Sequence, residues 1–208
     1  MPRPQPVPDG TDILIVPANE ATWEDLRLIF GNRGYAAYCQ CQKNKLRSWA
    51  EWRTLQVGGR MERLRQETRC GYPSARTTSG LVAYLAGEPA GWCAVEPRTA
   101  YPRLLRTTIP WKGRDEDPSD GGVWSVTCFG TRAGFRRRGV MRALTRAAVE
   151  FARERGARAL EGYPMLTEPG REVTWGELNV GNRNCFVEAG FEEVSHPTSR
   201  RVVMRIDY

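Results

Sequence analysis

Between Phe135 and Met141 the chain reads Phe-Arg-Arg-Arg-Gly-Val-Met, three consecutive guanidinium groups followed by a glycine. Beyond it Val140, Leu144, Ala147, Ala148 and Phe151 recur at helical spacing, with Arg142, Arg146, Glu150 and Arg153 opposite. Gly139 therefore stands at a helix entrance. The first N–H groups of a helix have no partner inside it and carry the positive end of its dipole. A glycine there lets a phosphate approach the main chain, so the expected chemistry is the binding of a pyrophosphate. The same residues also suit an arginine-rich helix start on a solvated face.

The charge of the whole chain has the same address. Its 208 residues carry 31 Lys and Arg against 24 Asp and Glu, a net of +7. Between Arg132 and Arg158 nine arginines face two glutamates, so this segment holds the entire excess and the remainder is neutral in sum. A partner with concentrated negative charge follows, either a phosphorylated small molecule or a nucleic-acid backbone. No helix-turn-helix, RRM-type or zinc-finger pattern accompanies the arginines, so a nucleic acid is the second choice of partner.

Six cysteines and one histidine, His196, complete the reactive side chains. Cys39-x-Cys41, with Cys70, offers too few ligands at the wrong spacing for a zinc site, and no metal is expected. Packing, or a wall of a substrate pocket, is the expected role. A composition of 40% hydrophobic and 26% charged residues excludes collagen-like, mucin-like and wholly disordered classes. No apolar run approaches the ~18–20 residues of a membrane span. Residues 1–10 carry four prolines and no apolar stretch, which predicts a flexible lead rather than a secretory signal. A single domain over 11–208 in the cytoplasm, with reduced cysteines and no membrane partner, is the resulting expectation.

The elements that must position the loop are legible in outline. Residues 12–17 (DILIVP) suit a buried strand, and Thr22 caps a helix through Phe30 that Gly31 and Gly34 end. Residues 46–69 read as one or two amphipathic helices interrupted at Gly58-Gly59. Residues 81–86 and 91–96 form a hairpin, and 97–122 a long polar connection. Residues 123–131 form a central strand, 138–155 a helix stopped by Gly156, and 159–163 a second buried strand. This βαβ unit predicts parallel strands within a mixed α/β sheet. An irregular segment over 164–181, in which Trp175 is placed to line an acceptor site, leads to a short helix at 182–189. Residues 201–206 close the sheet as an edge strand.

These motifs resemble the GNAT superfamily of acyl-CoA N-acyltransferases. That family carries Arg/Gln-x-x-Gly-x-Gly/Ala after its fourth strand, and the chain has Arg136-x-x-Gly139-x-Met141. Phe129-Gly130-Thr131 matches the end of the family's splayed strand, and Asn182 with Ala189-Gly190-Phe191 matches its closing signature. The resemblance implies a GNAT fold of six to seven strands and about four helices. It implies acetyl-CoA as co-substrate, its pyrophosphate held by the main chain of Arg136, Arg137, Arg138, Gly139, Val140, Met141 and Arg142. Pantetheine would pair with main-chain groups near Phe129 and Thr131. The acceptor would be a small-molecule or peptide amine, and a homodimer is common among similar enzymes.

For the chemistry, bacterial members acting on protein N-termini carry a catalytic Glu in a Leu-Glu-Val matching Leu160-Glu161-Gly162. This makes Glu161 the candidate base, with pairing to an arginine as the alternative, and Glu161→Gln is expected to lower turnover. The family's proton-donating tyrosine falls at Phe186, which has no proton to give, so Tyr163, Cys128 or water takes that role. Two other functions fit: an acyl-CoA-binding regulatory protein without turnover, and a nucleic-acid-binding module.

Overall fold

The computed structural model describes residues 13–167, 173–174 and 176–208. The lead expected at 1–10 and the acceptor role expected for Trp175 lie outside the described residues. Ile13–Pro17 is β1. Helix α1, Trp23–Phe30, starts from a reciprocal cap: the Asp25 N–H donates to Thr22 Oγ1 at 3.1 Å and the Thr22 N–H to Asp25 Oδ2 at 3.2 Å. Helices α2 (Gly34–Cys39), α3 (Trp49–Thr54) and α4 (Val57–Thr68) follow. The interruption predicted at Gly58-Gly59 falls instead at Leu55 and Gln56, and both glycines lie in the first turn of α4. Gly59 packs closely on the end of the Leu55 side chain: a Cβ there would lie 2.5 Å from Leu55 Cδ1, so the leucine would have to shift.

The hairpin pairs β2 (Gly80–Leu85) with β3 (Glu88–Pro97). Its turn is Ala86-Gly87, both left-handed, which matches the strand twist. Then come β4 (Val123–Thr131), α5 (Val140–Glu154), β5 (Ala159–Gly162), α6 (Arg183–Glu188), β6 (Glu192–Thr198) and β7 (Arg201–Asp207). The seven strands lie in the order β1-β2-β3-β4-β5-β7-β6, with six α-helices among the described residues. Only β4 and β5 pair in parallel, as the βαβ reading requires.

Residues 201–206 are not the edge of the sheet. β7 lies between β5 and β6, and the edge is β6, which the sequence pattern does not reveal. The reason is burial: β7 buries Val202, Val203 and Met204, whereas most of β6 is exposed and carries Pro197, a residue suited to an edge.

Alternation along β3 feeds two cores. Cys93 and Val95 join the α5 face with Leu144, Ala148 and Phe151, and Trp92 and Ala94 join Leu26, Ile29 and Leu64 of α1 and α4 on the other. β5 ends its pairing at Gly162 opposite Val126, while β4 runs five residues further, to Thr131, with β3 as its only strand partner. The sheet is therefore open between β4 and β5. Phe186 from α6 packs at the fork: a Cβ on Gly162 would lie 2.0 Å from its ring, and it stacks edge-on to Phe129 and Phe191 at 6.1 and 5.0 Å.

Candidate active site

A cleft of about 660 Å³ occupies that opening, walled by the end of α1, α2, the free half of β4, the loop into α5 and the segment before α6. Phe129, Thr131, Arg136, Arg137, Gly139, Val140, Met141 and Arg142 line it. Arg138, expected with them, does not. It is exposed on the outside of the turn, because Arg137 and Gly139 are both left-handed (φ 58° and 81°), and its guanidinium lies over the Phe135 ring. No side chain caps α5, and the N–H groups of Val140, Met141 and Arg142 donate to no acceptor among the described residues. Met141 also packs against the core, which accommodates a large residue at this position. Arg142 is ion-paired to Glu188 of α6.

A second cavity, of about 280 Å³, adjoins the cleft. The two share Cys39, Cys41, Cys128 and Asn179 as a common waist. Cys41 reaches it through a strained turn, since Gln40 and Cys41 are consecutive left-handed residues without being glycine (φ 49° and 56°). The Trp92 indole N–H donates to Cys41 Sγ at 3.3 Å. A hydrogen bond with Cys41 and burial raise the Cys128 thiol well above its ordinary pKa, so it stays protonated. Tyr35, at the start of α2, lines the cleft; loss of solvent around its hydroxyl, then the nearby Cys39, Cys128 and Cys41, push its pKa upward, and it too stays protonated. Nothing in the sequence singled out Tyr35, because one of its three thiol neighbours, Cys128, is brought to it only by the fold, from β4.

Glu161 faces neither cavity. It is fully buried, and each carboxylate oxygen accepts two donors. Arg114 Nη2 (2.5 Å) and Arg205 Nη1 (2.7 Å) donate to Oε1, while Arg98 Nη1 (3.2 Å) and the Tyr163 hydroxyl (3.0 Å) donate to Oε2. Glu116 and Asp207 balance the remaining charge: Glu116 contacts all three arginines and Asp207 pairs with Arg205. Burial alone would raise the Glu161 pKa, but the guanidiniums outweigh it and hold the carboxyl below its usual range. With four acceptor positions filled, no lone pair remains for an amine proton. This corrects the expected base role: Glu161 is a buried counter-ion that fastens the 97–122 connection to β5 and β7. Tyr163 lines the smaller cavity, but its proton is committed to Glu161 while Ser125 lies 3.0 Å from its oxygen. Cys128 is the one sequence-chosen acid or base at the waist.

The sequence profile of the Acetyltransferase (GNAT) family matches residues 44–163, more than half of the chain. The chain belongs to the GNAT acetyltransferase family. Solved structures agree with this in fold. A ribosomal-protein-alanine N-acetyltransferase from Brucella melitensis superposes with a TM-score of 0.51 at 20% identity, covering 94% of this chain and 99% of that one. yncA from Salmonella typhimurium, with its cofactor acetyl-CoA, superposes with a TM-score of 0.53 at 13% identity, covering 94% and 93%. An N-acetyltransferase from Staphylococcus aureus Mu50 gives 0.51 at 13% identity, covering 94% and 98%. No curated protein sequence matches significantly. In this GNAT chain the closing-signature position filled by Phe186 is fully buried, so it holds the fork together and faces no substrate. Among the described residues no helix is long and apolar enough to cross a membrane, and no three His, Cys, Asp or Glu are arranged to hold a metal.

Proposed function

We propose that the chain is a single-domain N-acetyltransferase that moves the acetyl group of acetyl-CoA to a primary amine by direct attack on the thioester. The observation carrying this reading is the set of undonated N–H groups of Val140, Met141 and Arg142, which line the larger cleft beside the open edge of β4. Those amides and the helix dipole suit a diphosphate. The unpaired stretch of β4 suits an extended pantetheine arm, and Arg136 and Arg137 suit the remaining phosphate. The thioester would then lie at the waist.

There the amine nitrogen forms a bond to the acetyl carbon, the carbon–sulfur bond breaks, and the amine loses a proton to solvent. The departing thiolate takes a proton from Tyr35, which lines the cleft and is reprotonated from solvent, and a main-chain N–H of β4 steadies the carbonyl oxygen. No carboxylate or imidazole lines either cavity among the described residues, so the amine must arrive neutral. That same lack favours a second reading, a protein that binds acyl-CoA without turnover. The six free cysteines suit a reducing compartment such as the cytoplasm.

Melting the purified chain with and without acetyl-CoA tests the binding. Ligand at about 100 times Kd adds about 2.7 kcal/mol of stability, several degrees in Tm. An unchanged Tm at millimolar acetyl-CoA excludes the reading. Free CoA release above the hydrolytic blank with an amine present separates the enzyme from the silent binder.

A further inference from the structure

The smaller cavity carries a charge pattern that acetyl transfer alone does not explain. Lys43, Arg103 and Arg201 line it, and no Asp or Glu among the described residues does. Arg98, Arg114 and Arg205 of the buried cluster share three carboxylates, whereas none of these three cations is ion-paired to a described carboxylate. The Arg103 guanidinium rests on the Trp49 ring, 3.5 Å from its centroid, and its Nη1 is buried without an acceptor. Arg201 Nε and Nη2 both donate to the Tyr163 carbonyl, at 3.0 and 2.5 Å, which orients the group and leaves Nη1 uncommitted. Arg103 and Arg201 are partly withdrawn from water without a counter-ion, which is unfavourable unless an anion joins them.

Size and position narrow the ligand. At about 280 Å³ the cavity lies at the small end of ligand sites. It meets the cleft at Cys39, Cys41 and Cys128, where an amine must present its nitrogen. Leu104, Ile109 and Val180 give it an apolar wall. A polyamine or aminoglycoside would add positive charge to three cations, and a protein N-terminus has no carboxylate beside its amine.

We infer that this cavity is the acceptor site and that the acceptor is a small amine carrying a carboxylate, an amino acid. This rests on the N-acetyltransferase reading above. Arg103 and Arg201 hold the carboxylate, Lys43 strengthens the field at the rim, and the amine faces the waist.

The test is CoA release by the full chain with acetyl-CoA and, separately, each standard amino acid, its carboxamide, and spermidine. At least one free amino acid is expected to turn over, with a kcat/KM about tenfold above that of its carboxamide, the loss expected when a charged hydrogen bond goes. Arg103→Gln should raise KM for the amino acid about tenfold and leave KM for acetyl-CoA unchanged. Lys43→Glu, at an exposed position that does not burden folding, should move KM the same way. Spermidine or the carboxamides serving as well as the free acids would overturn the inference. So would a chain that acetyl-CoA stabilises but that acetylates no amino acid. A chain that acetyl-CoA fails to stabilise brings down the enzyme reading, and the inference with it.

Discussion

Four donors converge on the Glu161 carboxylate, and their number decides what it can do. Replacing it with Gln removes the anion from between three guanidiniums, and breaking a buried pair in this way costs about 3 to 5 kcal/mol. Chemical denaturation of Glu161→Gln should show that loss; a variant as stable as the parent but slower in turnover would restore the base role. Because the folded pKa is depressed, the carboxylate's contribution is complete above its unfolded pKa of about 4.3 and fades as pH falls through the lower folded value. Stability measured downward from pH 5 should therefore fall more steeply in the parent than in the Gln variant. Tyr35 carries the opposite expectation. Tyr35→Phe keeps the ring and loses the proton, so kcat should fall by about 100-fold with acetyl-CoA affinity unchanged, as for general acids elsewhere. Phe186→Tyr should not compensate, because its ring is fully buried and the added hydroxyl meets only core.

At the scale of elements, the loop into α5 was readable because everything it needs is contiguous: arginines, a glycine and an amphipathic stripe over a few turns. Its function resides in main-chain groups, so side-chain changes should matter unequally. Gly139→Val forces a β-branched residue to φ 81° and should weaken acetyl-CoA binding about tenfold, at a conformational cost of roughly 1–2 kcal/mol. Arg138→Gln, outside the cleft, should leave affinity unchanged; calorimetric titration of both variants checks the contrast. What the sequence hid was of another kind. The three arginine partners of Glu161 lie 44 to 63 residues away along the chain, so no local spacing discloses them. β6 is polar on most of its length, so hydrophobic alternation passed over it and left β7 looking like an edge.

For the whole molecule, the buried cluster and the open cavity make complementary use of arginine. Three arginines neutralised by Glu161, Glu116 and Asp207 hold the long connection in place, and Arg103 on that connection then meets Arg201 and Lys43 across a small space. Like charges favour the neutral form of an incoming amine. The acceptor ammonium should lose its proton below its solution pKa, so kcat/KM should rise with pH through one ionisation and then level. A second inflection between pH 4 and 6, where an enzyme carboxylate would titrate, is not expected, and finding one would identify a base that this geometry lacks.

The narrow passage at Cys39, Cys41 and Cys128 has one more consequence, for acyl length. If the thioester stops there, a propionyl or butyryl tail must press on three sulfur atoms held by a backbone that is already strained at Gln40 and Cys41. The expected outcome is a donor preference that falls from the acetyl to the butyryl thioester. Shaving the passage with Cys128→Ala should widen donor choice toward longer thioesters before it alters the choice of amine.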